Sequence, residues 1–195
     1  MIWAALIGYA VGSVPSADAI ARLRGIDLRH TGSGNPGTAN ALRIGGARTA
    51  AMVLLLDLAK GAAAGVAGRA IGGDAAGAAA AVAAIAGQVR NPWFGFRGGK
   101  GLGVTGGGAL VLWPLGMAAA LAPIALTAKL LGAARGAVIG LAFLGGLGVA
   151  WAAGNWPVAW GVAPDDTLVW FVIGVLAVTA PKFVGEAFRG SALRR

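Results

Sequence analysis

The sequence predicts an all-α, polytopic integral membrane helical bundle: one domain over residues 1–195, with about seven membrane segments. Three observations predict it. Of the 195 residues, 57% are hydrophobic and only 12% are charged, whereas a soluble domain carries about 25% charged residues. The mean hydropathy is +0.76. The chain has 35 glycines, and spacings of four occur among them, as in Gly61 with Gly65, Gly68 with Gly72, Gly103 with Gly107 and Gly136 with Gly140. Small residues at that spacing let membrane helices approach closely.

The segments follow in order. Residues 2–22 form the first, in which Gly12, Ser13 and Pro15 predict a kink, with Asp18 near its end. Residues 23–49 are polar and basic and predict a loop. Residues 50–71 form the second segment, interrupted by Asp57 and Lys60. Those two are three apart, share a helix face and can pair. Charges inside a membrane face the bundle interior or a wet cavity. Residues 75–90 form a third, Ala-rich segment, short for a full span. Residues 102–131 are apolar throughout and too long for one simple span, so Trp113-Pro114 predicts a break into two helices. Residues 135–153 and 166–182 are the last two. The connection at 155–166 carries Trp156, Pro157, Trp160, Asp165 and Asp166, and a basic tail closes the chain.

Charge orients these segments. With the N-terminus outside and the C-terminus cytoplasmic, 14 of the 16 basic residues fall on the cytoplasmic side, and Asp165 and Asp166 fall outside. Merging 102–131 into one span would put the later loops on the wrong sides. Trp3, Trp113, Trp151, Trp156 and Trp160 are then expected near the outer interface as an aromatic belt. The N-terminus has no basic region before its apolar run and does not read as a cleaved signal peptide.

The formal net charge is +9. With the basic residues at segment ends, it points to the membrane surface and anionic substrates as partners, and not to nucleic acid. The absence of cysteine excludes thiol catalysis, thiolate metal sites and disulfides. One histidine, His30, makes a Ser-His-Asp triad an unfavoured reading. No carboxylate or histidine cluster is present, so neither a metal nor a cofactor is expected.

Two stretches carry chemistry. Residues 88–105, QVRNPWFGFRGGKGLGVT, hold Arg97 and Lys100 among Gly95, Gly98, Gly99, Gly101 and Gly103. Glycines let backbone N–H groups turn toward a ligand, and the cations suit phosphate. The stretch is not a Walker loop, because Gly101 stands where Ser or Thr would follow the lysine and an apolar helix precedes it. Residues 32–40, GSGNPGTAN, repeat the theme: Ser33, Asn35, Thr38 and Asn40 offer neutral donors, Gly32, Gly34 and Gly37 permit tight turns, and Arg43 follows. Taken singly, either stretch also reads as a capped turn or a basic loop. Together on the cytoplasmic face they suggest a pocket for a phosphorylated, water-soluble substrate beside a lipid-facing groove.

The chain resembles the bacterial acyl-phosphate-dependent glycerol-3-phosphate acyltransferases, the PlsY family. The matching stretches are GSVP at 12–15, RGIDLR followed by GSGN through Asn40 to Arg43, DLAKG at 57–61 and FRGGKG at 96–101. Their order and spacing fit over roughly residues 1 to 105. The resemblance implies a multi-pass protein of the bacterial inner membrane. It implies transfer of an acyl chain from acyl phosphate to the 1-hydroxyl of glycerol 3-phosphate, giving lysophosphatidic acid and phosphate. Carried over by position, the site would comprise Ser33, Gly34, Asn35, Gly37, Asn40, Arg43, Gly98, Gly99, Lys100 and Gly101. Arg43 and Lys100 would hold phosphate groups, and Ser33, Asn35 and backbone N–H groups would bind the developing oxyanion. Thr38, Asp57, Lys60, Gln88 and Arg97 are added as candidate substrate-binding residues.

The chain departs from the family in three places. Thr38-Ala39 reverses the usual order before the final Asn. Gln88 stands where the family usually has His after Gly; it can hydrogen-bond a substrate but is no base at neutral pH. Ala180-Pro181-Lys182-Phe183 stands where a C-terminal His-Arg-x-Asn is expected. Two other readings stay open: the same chemistry on another acceptor, or a transporter or flippase of phosphate-bearing lipids or anions, which the buried charges Asp18, Asp57 and Lys60 would suit.

Overall fold

The structure, a computed structural model, describes residues 1–154 and 165–192. The regular structure among them is helical: α1 (Ile2–Gly12), α2 (Ser16–Leu23), α3 (Thr38–Val89), a 3₁₀ turn (Pro92–Phe94), α4 (Leu102–Leu112), α5 (Pro114–Leu131), α6 (Ala133–Ala153) and α7 (Asp166–Ala192). Five helical stretches are long and apolar enough to cross a membrane, and α4 is a shorter apolar helix. The chain forms two compact units, Met1–Gly108 and Ala109–Arg195.

In the first unit, α3 is broken into three legs. Gly46 (φ 75°) separates 38–45 from 47–71, and Gly72 with Gly73 (φ 71°) separates 47–71 from 74–89. Positive φ is open to glycine at little cost, so the breaks fall there. A Cβ on Gly68 would meet Ala76, Gly77 and Ala80. The second and third legs therefore form a tight antiparallel hairpin. A Cβ on Gly8 or Gly12 would fall on the main chain of Ala80 or Ala84. That register makes α1 parallel to 74–89. Gly61 meets Val104 and Gly108, and Gly107 meets Leu58 and Ala62, so α4 runs parallel to 47–71. Close backbone packing through small residues is what the glycine spacing predicts. These directions bring residues 13–46 and 90–101 to one end of the unit.

In the second unit, Gly136 and Gly140 of α6 pack on Ala128 and Ile124 of α5, and Gly145 and Gly148 pack on Leu176 and Val172 of α7. Both neighbours are antiparallel to α6. Trp113 leaves helical geometry (φ −148°, ψ 69°) ahead of Pro114, so the break predicted there is present.

Three expectations are corrected. Helix α3 begins at Thr38, not at residue 50, because the polar stretch continues as a short helical leg that ends at Gly46. Helix α7 runs to Ala192, so the residues read as a tail continue the helix past Pro181. Trp113 is no belt residue: it is fully buried, packed edge-on against Trp151 at 5.9 Å and over Gly116. Trp3 is 71% exposed, as a belt residue would be. Trp156 and Trp160 lie outside the described residues.

Candidate functional site

The site lies at the end of the first unit where α1 gives way to α2, between the 24–37 loop and the 90–101 loop. Both loops are stitched by buried side chains. Asn40, on the first turn of α3, accepts from Ser33 N at 2.8 Å through Oδ1. Its Nδ2 donates to the carbonyls of Leu28 at 2.9 Å and Thr31 at 3.0 Å. The first loop thus closes on Asn40, with Gly25, Gly32 and Gly34 in left-handed backbone. At its exposed edge, the His30 side chain and the Arg29 backbone N–H hydrogen-bond Asp27 and hold its carboxyl below the ordinary value.

Asn91 does similar work for the second loop. Its Oδ1 accepts from Trp93 N at 3.1 Å and its Nδ2 donates to Ser13 O at 2.9 Å. Gly98 N donates to Val89 O at 3.1 Å. A Cβ on Gly98 would strike Gln88 O, and one on Gly99 would stand 2.9 Å from Pro36 O. The glycines of FRGGKG are therefore needed for close approach as well as for turning. The two glycine-rich loops meet at Pro36 and Gly99.

Arg29 ties the loops to α2. Its Nε and Nη2 form a bidentate pair with the Asp18 carboxylate at 2.7 and 2.9 Å. Its Nη1 donates to Arg97 O at 2.8 Å, and the guanidinium lies 3.4 Å from the centre of the Phe94 ring. Such planar pairing and stacking suit arginine and not lysine.

Behind the loops is a buried polar layer. Lys60 Nζ donates to Gln88 Oε1 at 2.6 Å, to Asp57 Oδ1 at 3.0 Å and to Val14 O at 3.1 Å. Ser16 Oγ donates to Asp57 Oδ1 at 3.4 Å. An ammonium has three donors, and all three are engaged. The spacing-based pairing of Asp57 with Lys60 is present, and the pair supports the cleft from behind.

A narrow cleft opens between these parts. Gln88, Gly98 and Gly99 line it, as do Ser16, Asp18, Arg29, Pro36 and Asn91. Of the candidates read from sequence, the structure thus brings three into the cleft lining. Gly101 is buried against Ile85 and Val89. Asn35, Gly37, Thr38 and Lys100 are half-buried, while Ser33, Gly34, Arg43 and Arg97 are exposed; all lie at the same end of the unit. Sequence reasoning did not single out Ser16, Arg29 or Asn91 for the site, and used Asp18 only as a buried charge. The available signal was a carboxylate at the end of an apolar segment and an arginine in RGIDLR.

The site belongs to a known pattern. Residues 2–180 match a family model described as glycerol-3-phosphate acyltransferase. A Ruegeria pomeroyi protein named glycerol-3-phosphate acyltransferase is 43% identical over 144 residues, 73% of this chain and 70% of that relative. A Shewanella loihica protein of the same name is 47% identical over 122 residues, 62% of this chain and 59% of that relative. The matched stretches thus span 59% to 70% of these relatives' length. Among solved structures, the glycerol 3-phosphate form of PlsY, an integral membrane glycerol 3-phosphate acyltransferase, aligns over 100% of this chain and 93% of that one. Its TM-score is 0.83 at 21% identity. The lysphosphatidic acid form of the same protein aligns with a TM-score of 0.77. At that identity the likeness establishes the fold: an all-helical integral membrane architecture.

Proposed function

The chain belongs to the glycerol-3-phosphate acyltransferase family, and from that premise we propose that it moves an acyl chain from acyl phosphate to the 1-hydroxyl of glycerol 3-phosphate in phospholipid synthesis. The hydroxyl oxygen attacks the acyl carbonyl carbon, and the carbonyl C–O bond to phosphate breaks. Lysophosphatidic acid and inorganic phosphate leave, and the hydroxyl proton passes to the departing phosphate or to water. Acyl phosphate is an activated mixed anhydride, so this chemistry needs no enzyme nucleophile or metal. Positioning and charge stabilisation suffice.

One observation carries the reading: two glycine-rich loops, one holding Lys100 and the other leading into the α3 turn that holds Arg43, meet at Pro36 and Gly99 over a cleft with the Gln88 amide in its wall. Arg43 and Lys100 are proposed to hold the phosphates. Ser33, Asn35 and Thr38, with backbone N–H groups at Gly99 and Gly101, are proposed to bind the developing oxyanion and orient the acceptor, with Arg97 adding positive charge; Gly34, Gly37 and Gly98, whose N–H groups bond Thr31, Asn35 and Val89, are proposed to shape the loops around the substrate. Asn40 acts by closing the loop, and Asp57 with Lys60 act from behind the cleft. The site is proposed to face the cytoplasm from a bacterial inner membrane. Transport draws less support, because Asp18, Asp57 and Lys60 are each paired inside the protein.

The test is phosphate release by the purified protein in lipid, with palmitoyl phosphate, with and without glycerol 3-phosphate. Release is expected to require the acceptor and to fall at least about 100-fold in Lys100→Ala, the scale of losing one charge-stabilising group. Release that ignores the acceptor would shift the reading to another acceptor. No release by folded protein would remove it.

A further inference from the structure

Gln88 is 5% exposed, yet only half of its amide is used. Its oxygen accepts from Lys60 Nζ at 2.6 Å. An ammonium has no acceptor to offer, so this contact leaves one orientation for the amide: oxygen toward Lys60, nitrogen away from it. The nitrogen points at the second glycine-rich loop. It lies 3.3 Å from where a Cβ on Gly99 would stand, and Gln88 lines the cleft beside Gly98 and Gly99. Among the described residues nothing accepts from Nε2. The described polar side-chain atoms both sealed from solvent and without a partner are Thr105 Oγ1 and Trp113 Nε1. Nε2 is therefore not walled in; it borders the cleft.

A donor that borders a narrow cleft and has no acceptor from the protein is available to a ligand oxygen. We infer that Gln88 is a substrate-contacting residue of fixed polarity: its Nε2–H₂ donates to a phosphoryl oxygen in the cleft, and Lys60, by holding Oε1, sets that polarity. Lys60 is a positioning residue, since its three protons are already taken. The nearby charges do not compete for the anion, because Asp18 is paired with Arg29 and Asp57 with Lys60. That the ligand oxygen is phosphoryl rests on the acyltransferase reading. Both acyl phosphate and glycerol 3-phosphate carry such an oxygen.

The decisive variant is Gln88→Glu, made in the full chain and reconstituted in nanodiscs. It is nearly isosteric and keeps an oxygen for Lys60, but it replaces the donor NH₂ with an acceptor. Gln88→Leu removes both functions without adding charge. In Gln88→Glu the KM for one of the two substrates is expected to rise about 10- to 100-fold, the scale of a hydrogen bond to an anion. The unfolding midpoint should be equal to or above that of the unsubstituted protein. Gln88→Leu should raise the same KM and lower the midpoint. The substrate whose KM moves is the one whose phosphate Gln88 holds. A purely structural glutamine predicts a Gln88→Glu protein with both KM values unchanged, and that result overturns the inference. If the unsubstituted protein transfers no acyl group, the acyltransferase reading fails on its own. The inference is then read by titrating inorganic phosphate and glycerol 3-phosphate into both proteins. Weaker binding to Gln88→Glu supports it; equal binding, or none to either protein, overturns it. Should Gln88→Glu fail to fold, Gln88→Leu decides by the same KM and titration readings.

Discussion

Lys60 shows what a sequence says about a residue and what it leaves out. Its pairing with Asp57 follows from helical spacing, and its burial from the cost of an intramembrane charge. Its second and third partners, Val14 and Gln88, lie 46 and 28 residues away, beyond any local rule. The same is true of Arg29, whose bidentate contact with Asp18 follows no periodicity, and of Asn40. That residue reads as a catalytic donor until its three bonds to the 28–33 loop are seen. Removing one member of a buried pair leaves a charge with nowhere to go, which costs about 3–5 kcal/mol. Lys60→Met is therefore expected to lower stability by that amount in a thermal or denaturant unfolding assay. Lys60→Met combined with Asp57→Leu should recover most of the loss.

At the scale of elements, the helices were more legible than the loops. Trp113-Pro114 ends a helix for a stated steric reason, and the structure breaks there. The glycines four apart are where the helices touch. The start of α3 was missed because Arg43, Gly45, Gly46 and Arg48 make the first leg look like loop, and only the backbone at Gly46 separates it from the next leg. That the two loops share one end was legible from the segment order, but their contact was not, since it depends on Gly99 fitting under Pro36. A methyl on Gly99 would force Pro36 away, at a cost of about 1–3 kcal/mol if the loops are to stay in contact. Gly99→Ala is expected to fold and to lose roughly tenfold or more in kcat/KM. Gly95→Ala is the control: it has no neighbour within 4 Å of the added carbon. It pays only for its φ of +58°, about 1–2 kcal/mol, and should keep most of its activity.

For the whole molecule, the distribution of charge predicts an orientation, and the helix directions give that expectation a test. Residues 90–101 and the turn at Gly72–Gly73 lie at opposite ends of the 74–89 leg, so an impermeant reagent should reach them from opposite sides of the membrane. The chain has no cysteine, which makes single introduced thiols clean reporters. Trp93→Cys is expected to react only in inside-out vesicles, and Ile71→Cys only in right-side-out ones; both parent side chains are exposed, at 72% and 48%. The opposite pattern would invert the orientation derived from the basic residues.

The Asp57–Lys60–Gln88 layer also bears on how such a chain changes over generations. A protein that mutates one residue at a time cannot freely exchange any of these three. Replacing the lysine strands the aspartate; replacing the aspartate strands the lysine; replacing the glutamine with a donor-only side chain sets it against the ammonium. The three positions thus act as one locus. The order in which they change decides whether the intermediate protein folds, and a histidine or glutamine at 88 is admissible because each can offer Lys60 an acceptor while keeping a hydrogen for the ligand.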